Sequence, residues 1–198
     1  MANITFITSN TAKVQLANER LEQYGITVDQ ATLNLEEVQS FDVVEVATKK
    51  AQYAMSKLQD TFFVEDSGFY IKALQGFPGP LIKPIMQSLG EDRLTRCVEP
   101  SENRDVEVIS VIALGEPATG VIETFQGSYP GVLAESPRGD VTRGWLLSRV
   151  FIPRGWNQTL AELDETEWSR FLDVFRHNDH FDKLGRWLVE QEQKTNHQ

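Results

Sequence analysis

Glu65-Asp66-Ser67-Gly68 sets two carboxylates, a hydroxyl and a glycine in consecutive positions, directly after the apolar run Thr61-Phe62-Phe63-Val64. Paired acids of this kind can hold a divalent cation and can orient or deprotonate a water whose pKa the cation lowers. Asp66 is the first candidate for metal and water, and Glu65 supports it. A strand that hands its acids to a tight turn would present them at the mouth of a cleft. Gly68 would then leave room for a ligand beside the backbone, with Ser67 in reach of it. The run ALQGFPGPLIKP follows from Ala73 to Pro84 and brings a cation, Lys83, at the end of a Gly/Pro-rich loop. An acidic surface turn is the competing reading, and four residues alone do not exclude it.

Two further segments supply matching chemistry. Ile4-Thr5-Phe6-Ile7 reads as a buried strand, Thr8-Ser9-Asn10 as a polar turn, and Lys13 falls in the first turn of a helix carrying Val14, Leu16, Ala17 and Leu21. Strand, turn and helix start place backbone N–H groups, hydroxyls and an ammonium around an anion. The Gly-x-x-x-x-Gly-Lys spacing of a P-loop is absent. Simple capping of the helix by Ser9 or Asn10 is the alternative. The third segment, Leu35-Glu36-Glu37-Val38-Gln39-Ser40-Phe41-Asp42, precedes a helix with Val46, Ala47, Ala51, Ala54 and Leu58 on one side and Lys49 and Lys50 within it. Its acids either complement the helix dipole or supply a second carboxylate for a cation.

Taken together, TSNTAK, LEEVQ, EDSG and ALQGFPGPLIK resemble the inosine triphosphate pyrophosphatase family, enzymes that hydrolyse non-standard purine nucleoside triphosphates. The same order continues through FQGSYPG from Phe125, PRGD from Pro137 and FIPRGWNQTLAEL from Phe151 to Leu163. The resemblance implies a mixed α/β fold with an elongated curved sheet, flanking helices and two lobes around a central cleft, in a homodimer. It implies Mg²⁺, with Mn²⁺ as an alternative, held by Glu37 and Asp66. Thr8, Ser9, Asn10 and Lys13 would grip the outer phosphates, and Lys50 and Lys83 would neutralise more of their charge. Catalysis would fall to Asp66, Glu65 and Lys13.

The later motifs depart from the family pattern. A Gly-aromatic-Gly-Tyr/Trp-Asp-Pro segment is usual before the F-x-P run. Here the stretch is Gly144-Trp145-Leu146-Leu147-Ser148-Arg149, with Ser148 at the Asp position. No Ser-His-Arg occurs; the nearest text runs from Arg176 to Leu184 and includes His177 and His180. Trp168 stands where a Lys is usual. In the family these motifs read the base, so Trp145 and Ser148 are the base-side candidates and base recognition is expected to be altered. His177 and His180 have H-x-x-H spacing, but without a cysteine or a placed acid pair a surface or substrate-side role is favoured over metal.

Composition bounds the rest. A chain of 198 residues with 40% hydrophobic content fits one domain over residues 1–198. No apolar run approaches the ~20 residues of a membrane span, and the Met1 region lacks a basic segment before an apolar one. The single Cys97 allows no internal disulfide and fits a reducing compartment, so a soluble cytoplasmic protein is expected. A formal net charge of −10 argues against nucleic-acid and anionic-membrane partners. A polyanionic nucleoside triphosphate must then be met by local cations, namely Lys13, Lys50 and Lys83.

Strands are expected at Val106–Leu114 and Val121–Phe125, joined by a hairpin over Gly115–Gly120. A helix is expected over Leu160–Phe175 with Asp164 capping, and a last helix over Asp182–Gln193. Two functions of different class follow. One is a Mg²⁺-dependent nucleoside triphosphate pyrophosphatase with altered base recognition. The other is a family-derived nucleotide-binding or protein-interaction protein with little turnover.

Overall fold

The computed structural model describes residues 2–36, 38–142, 144–177 and 179–195. Its frame is a seven-stranded mixed sheet. The strands are β1 (Ala2–Ile7), β2 (Ile26–Ala31), β3 (Phe62–Ile71), β4 (Pro78–Gly79), β5 (Asp105–Glu116), β6 (Val121–Leu133) and β7 (Phe151–Pro153). The order is β2-β1-β3-β5-β6-β7, with β4 paired to β3. β1 runs parallel to β2 and β3, and the remaining neighbours are antiparallel. Parallel neighbours need crossovers, supplied here by α1 (Thr11–Leu21) and α2 (Val43–Met55). The other helices are α3 (Ile82–Leu89), α4 (Glu91–Arg96), α5 (Glu165–Arg176) and α6 (His180–Thr195). Mixed α/β architecture is as expected. Among the described residues no helix is long and apolar enough to cross a membrane.

Strand periodicity sorts the core onto two faces. On one face Ile4, Phe6, Phe63, Ile112, Leu114 and Phe125 pack beneath α1 and α6. Farther along that face Phe69, Ile71, Val106, Val108, Tyr129 and Leu133 pack with Leu94, Phe151 and Phe171. The opposite face holds Phe62, Val64, Val111 and Ala113 under Val43, Ala47, Ala51 and Ala54 of α2. The first two clusters are separated on their shared face by a polar seam. Ser67 pairs with Ser110, Ser110 pairs with Gly127, and the two serine hydroxyls are 2.9 Å apart.

The sequence reading placed the Glu65-Asp66-Ser67-Gly68 acids at a tight turn. The structure corrects this: β3 passes straight through them to Ile71, paired throughout with β5. Gly68 also serves a different purpose. A Cβ there would meet the Tyr70 ring at 2.6 Å, so the missing side chain makes room for an aromatic two residues on rather than for a ligand. β6 likewise runs past Phe125 to Leu133 and takes FQGSYPG into the sheet. The expected Leu160–Phe175 helix is broken. A short 3-10 turn spans Leu160–Glu162, Leu163 is extended, and Asp164 caps α5 by accepting from the Glu167 N–H at 2.8 Å. Paired capping boxes at Thr159 and Asp164 satisfy two successive helix starts, which favours two short elements over one.

Gly131 marks the point of closest packing between β6 and β7. A Cβ there would lie 2.3 Å from a Phe151 ring carbon and 2.4 Å from the Ile152 carbonyl oxygen. Since the backbone oxygen cannot swing away, Gly131→Ala is expected to lower the unfolding free energy by about 1–3 kcal/mol. A denaturant midpoint unchanged from wild type would show that β7 moves freely.

Candidate active site

The site is built where β1 leaves β3. Their pairing consists of Thr5 with Phe62 and Phe6 with Phe63. β4 takes up that side of β3 at Phe69 and Tyr70. Between these, the edge of β3 from Val64 to Gly68 has no strand partner on the β1 side among the described residues. Thr8-Ser9-Asn10 emerges into this gap from the carboxyl end of β1. Crevices at the carboxyl ends of parallel strands are where open α/β sheets bind ligands.

The turn after β1 is held by its own side chains. The Thr8 hydroxyl accepts from the Asn10 N–H at 3.1 Å, and the Asn10 carboxamide oxygen accepts from the N–H groups of Ala12 and Lys13 at 3.0 and 3.3 Å. Asn10 is therefore the N-cap of α1, and Ser9 is exposed. The cap fixes the first helical turn and so aims Lys13 inward, where its Nζ lies 3.5 Å from Glu65 Oε1.

Adjacent residues of a strand point to opposite faces, so Glu65 and Asp66 are separated by the sheet. Glu65 faces α1 and α6; Asp66 faces α2 and pairs with Lys50. At the open edge of β3 the two acids thus stand on either face, each held by a lysine. Glu37, the other expected metal ligand, lies outside the described residues. Among those described, no group of three metal-ligating side chains occurs.

Glu65 is buried, and burial alone would raise its pKa. The Lys13 charge, followed by the close approach of His180, more than offsets this and brings it from 4.5 down to about 2. His180 is the residue that the sequence reading undervalued. It was expected at the surface or beside substrate, yet it is 3% exposed, and its Nε2 is 3.6 Å from Glu65 Oε1. Its Nδ1 is 3.2 Å from the Tyr129 hydroxyl. His177 is exposed at the end of α5, so the two histidines do not converge. Beneath them a buried pair anchors the helix junction. Arg20 of α1 pairs with Asp179 and donates to the carbonyls of Leu172 and Phe175 at 3.1 and 3.0 Å. Nothing in the local sequence marks Arg20, and the FQGSYPG run marks Tyr129 without showing its partner, because the partners of both are remote along the chain.

The base-side candidates are held by contacts within the protein. Ser148 is 1% exposed and donates to the carbonyls of Thr142 and Trp145, so its hydroxyl locks the loop. Trp145 is half-buried with its ring edge-on to Tyr129, Trp168 and Phe171 at about 6 Å. Arg149 is tied to the Gly139 carbonyl and to Glu91, both at 2.9 Å. Lys83 stands exposed on α3. A cavity of about 20 Å³ lies between Trp145, Tyr129, Arg20 and Asp179, room for about one water.

Because the Glu65 pKa is depressed on folding, its contribution to stability is present above about pH 5 and is lost as pH falls toward about 2. A depression of this size corresponds to about 3 kcal/mol. Glu65→Gln should therefore flatten the acid limb of the stability curve, as read by urea unfolding at stepped pH. An unaltered limb would mean that Lys13 and His180 do not act on this carboxylate.

Comparison with known proteins matches this framework. The family model described as the Ham1 family matches residues 4–172. A protein of Methanopyrus kandleri named dITP/XTP pyrophosphatase is 38% identical over 164 residues, covering 83% of this chain and 86% of that protein. One of the same name from Hyperthermus butylicus is 39% identical over 168 residues, covering 85% and 86%. The solved structure of a HAM1 protein from Coxiella burnetii superposes with a TM-score of 0.75 at 21% identity, covering 96% of this chain and all of that one, and so shares the fold. With the early motifs in order and the sheet in common, the chain belongs to the Ham1 family, that of the inosine triphosphate pyrophosphatases.

Proposed function

We propose that the protein, as one domain over residues 1–198, is a magnesium-dependent nucleoside triphosphate pyrophosphohydrolase of the non-standard purine type with altered base recognition. The observation that carries the reading is the pairing of Lys13 with Glu65 and of Lys50 with Asp66 on either side of the open β3 edge. Each ammonium is held at the crevice by a carboxylate, ready to be shared with a phosphate oxygen. The names of the archaeal relatives support a triphosphate substrate such as dITP or XTP. Homodimer formation and a cytoplasmic location remain proposals that rest on the family resemblance and composition.

In the proposed reaction a water oxygen bonds to the phosphorus nearest the sugar, the bond from that phosphorus to the bridging oxygen breaks, and pyrophosphate leaves. The water loses its proton to a base, leaving the nucleoside monophosphate. Positioning and charge neutralisation do most of this work. Asp66, partly exposed in the crevice, takes the metal and water role. Glu65, kept ionised well below neutrality, is a weak base and suits holding Lys13 instead. Asp66 offers a hard oxygen donor suited to Mg²⁺, which is held by one or two carboxylates plus phosphate oxygens; Glu37 is the second carboxylate proposed. Such an ion would supply neutralisation of phosphate charge and a more acidic water.

Base preference follows from the use already made of the polar groups near Trp145. With the Ser148 hydroxyl bound inside the loop and the Arg149 guanidinium held by the Gly139 carbonyl and Glu91, fewer polar groups of this segment remain to select a keto purine. The same observation favours the second reading, a nucleotide binder with little turnover.

Pyrophosphate release from dITP, XTP, dATP and GTP, with and without Mg²⁺, tests both. Metal-dependent release is expected, with a preference for dITP and XTP well short of the ~10⁴ that a hydrogen-bonding reader achieves. A preference of about a thousandfold or more would show that other residues rebuilt the reader. No release from any substrate would leave the binding reading in place. In the same assay Asp66→Asn should lose about a hundredfold or more in kcat while the protein stays folded, since a hard-cation ligand is gone. Near wild-type turnover would remove Asp66 from the metal site.

A further inference from the structure

His180 is the first residue of α6, and its place is fixed from four sides. Asp179, next to it, accepts from the Asp182 N–H at 2.8 Å and so holds the start of the helix. The same carboxylate is paired with buried Arg20, which reaches across from α1. Below lies Gly127 of β6, where a Cβ would be 2.8 Å from His180 Nδ1 and 2.9 Å from its backbone nitrogen. Beside it the Tyr129 hydroxyl contacts Nδ1. Burial first, then the Asp179 and Glu65 charges, push the Tyr129 pKa well above its ordinary value, so the hydroxyl keeps its proton.

The imidazole then has one free end. Nε2 is buried and makes no hydrogen bond among the described residues, yet it faces the Glu65 oxygen that also faces Lys13. A bare Nε2 lone pair against an ionised carboxylate would be repulsive, so Nε2 carries the proton and points it at Glu65. A buried donor held this tightly and left just short of hydrogen-bond distance is expensive unless a small closure completes the bond.

We propose that His180, held by Tyr129 and by the Arg20–Asp179 pair, is a positioning residue that fixes the Glu65 carboxylate and, through it, the Lys13 ammonium at the phosphate crevice. The chain of contacts runs from α5 and α6 across the polar seam to α1. It joins the helices of the aromatic cluster to the phosphate-binding turn. It rests on the pyrophosphohydrolase reading, since that reading gives Lys13 its phosphates.

The test exploits the two ends of the ring. His180→Gln can place an N–H near the Nε2 position, whereas His180→Asn reproduces only the Nδ1 side. With dITP as substrate, His180→Asn should lower kcat/KM about tenfold to a hundredfold, and His180→Gln should recover most of it. In a Glu65→Gln background the His180→Asn loss should fall below about twofold, because residues acting as a unit are not additive. Should His180→Asn fail to fold, Tyr129→Phe keeps the ring in the core and removes only the hydroxyl. It should lose activity in the same direction and nothing further in the Glu65→Gln background. Equal losses in the Asn and Gln variants, or losses that add to that of Glu65→Gln, would overturn the inference while wild-type activity upheld the functional reading. A change in the dITP-to-dATP ratio would also overturn it, making His180 a base contact. An inactive wild type would overturn the functional reading and this inference with it.

Discussion

The pairing of β1 with β3 stops at Phe6 and Phe63, while β3 runs on for eight more residues to Ile71. That early parting is the constraint from which the site follows. A strand edge left unpaired inside a sheet must be met by water, by side chains or by a ligand. Here the turn from Thr8 to Asn10 and the first turn of α1 stand beside it and bring a capped helix start and Lys13. Had the two strands stayed paired, Glu65 and Asp66 would be sealed on opposite faces with no shared approach.

The second dependence is on small residues in the seam. Ser67, Ser110 and Gly127, beside Glu65, separate two clusters of aromatic and aliphatic side chains on one face. Their small volume lets the start of α6 come down onto the sheet, and Gly127 in particular clears the space that His180 fills. Polar side chains thereby reach a buried place where each has a partner: Arg20 with Asp179, and Glu65 with Lys13 and His180. Buried pairs of this kind add little net stability but make one arrangement much better than its neighbours, because losing either partner strands a charge. Such an arrangement suits a site that must hold ammonium groups still.

The late part of the chain shows the same economy with a different outcome. The segment from Trp145 to Arg149 spends its polar groups on its own loop and on Glu91, and its tryptophan joins an aromatic cluster with Tyr129, Trp168 and Phe171. The Ser148 hydroxyl is satisfied internally, as a buried group must be. This segment is turned toward packing, while Lys13 and Lys50 of the early segments pair with the acids of β3.

The sequence by itself determined the family, the mixed α/β class, the caps of α1 and α5 and most of the charged residues beside β3. These are local properties: alternation in Ile4–Ile7, a capping Asn10 three residues before Lys13, an aspartate ahead of Glu167. Only the tertiary structure decided that Glu65 and Asp66 stand mid-strand on opposite faces, that Gly68 yields to Tyr70, and that Ser148 is locked away. It alone brought His180, Tyr129, Asp179 and Arg20 to Glu65. Arg20 and Asp179 are 159 positions apart, and Tyr129 and His180 are 51 apart. Separations of that size leave no periodicity to read, since the contact exists only once β6 and two helix ends have packed on one another. Whether a strand stops or continues after its acids is settled likewise by the strand beside it, here β5, which pairs with β3 through every one of those residues.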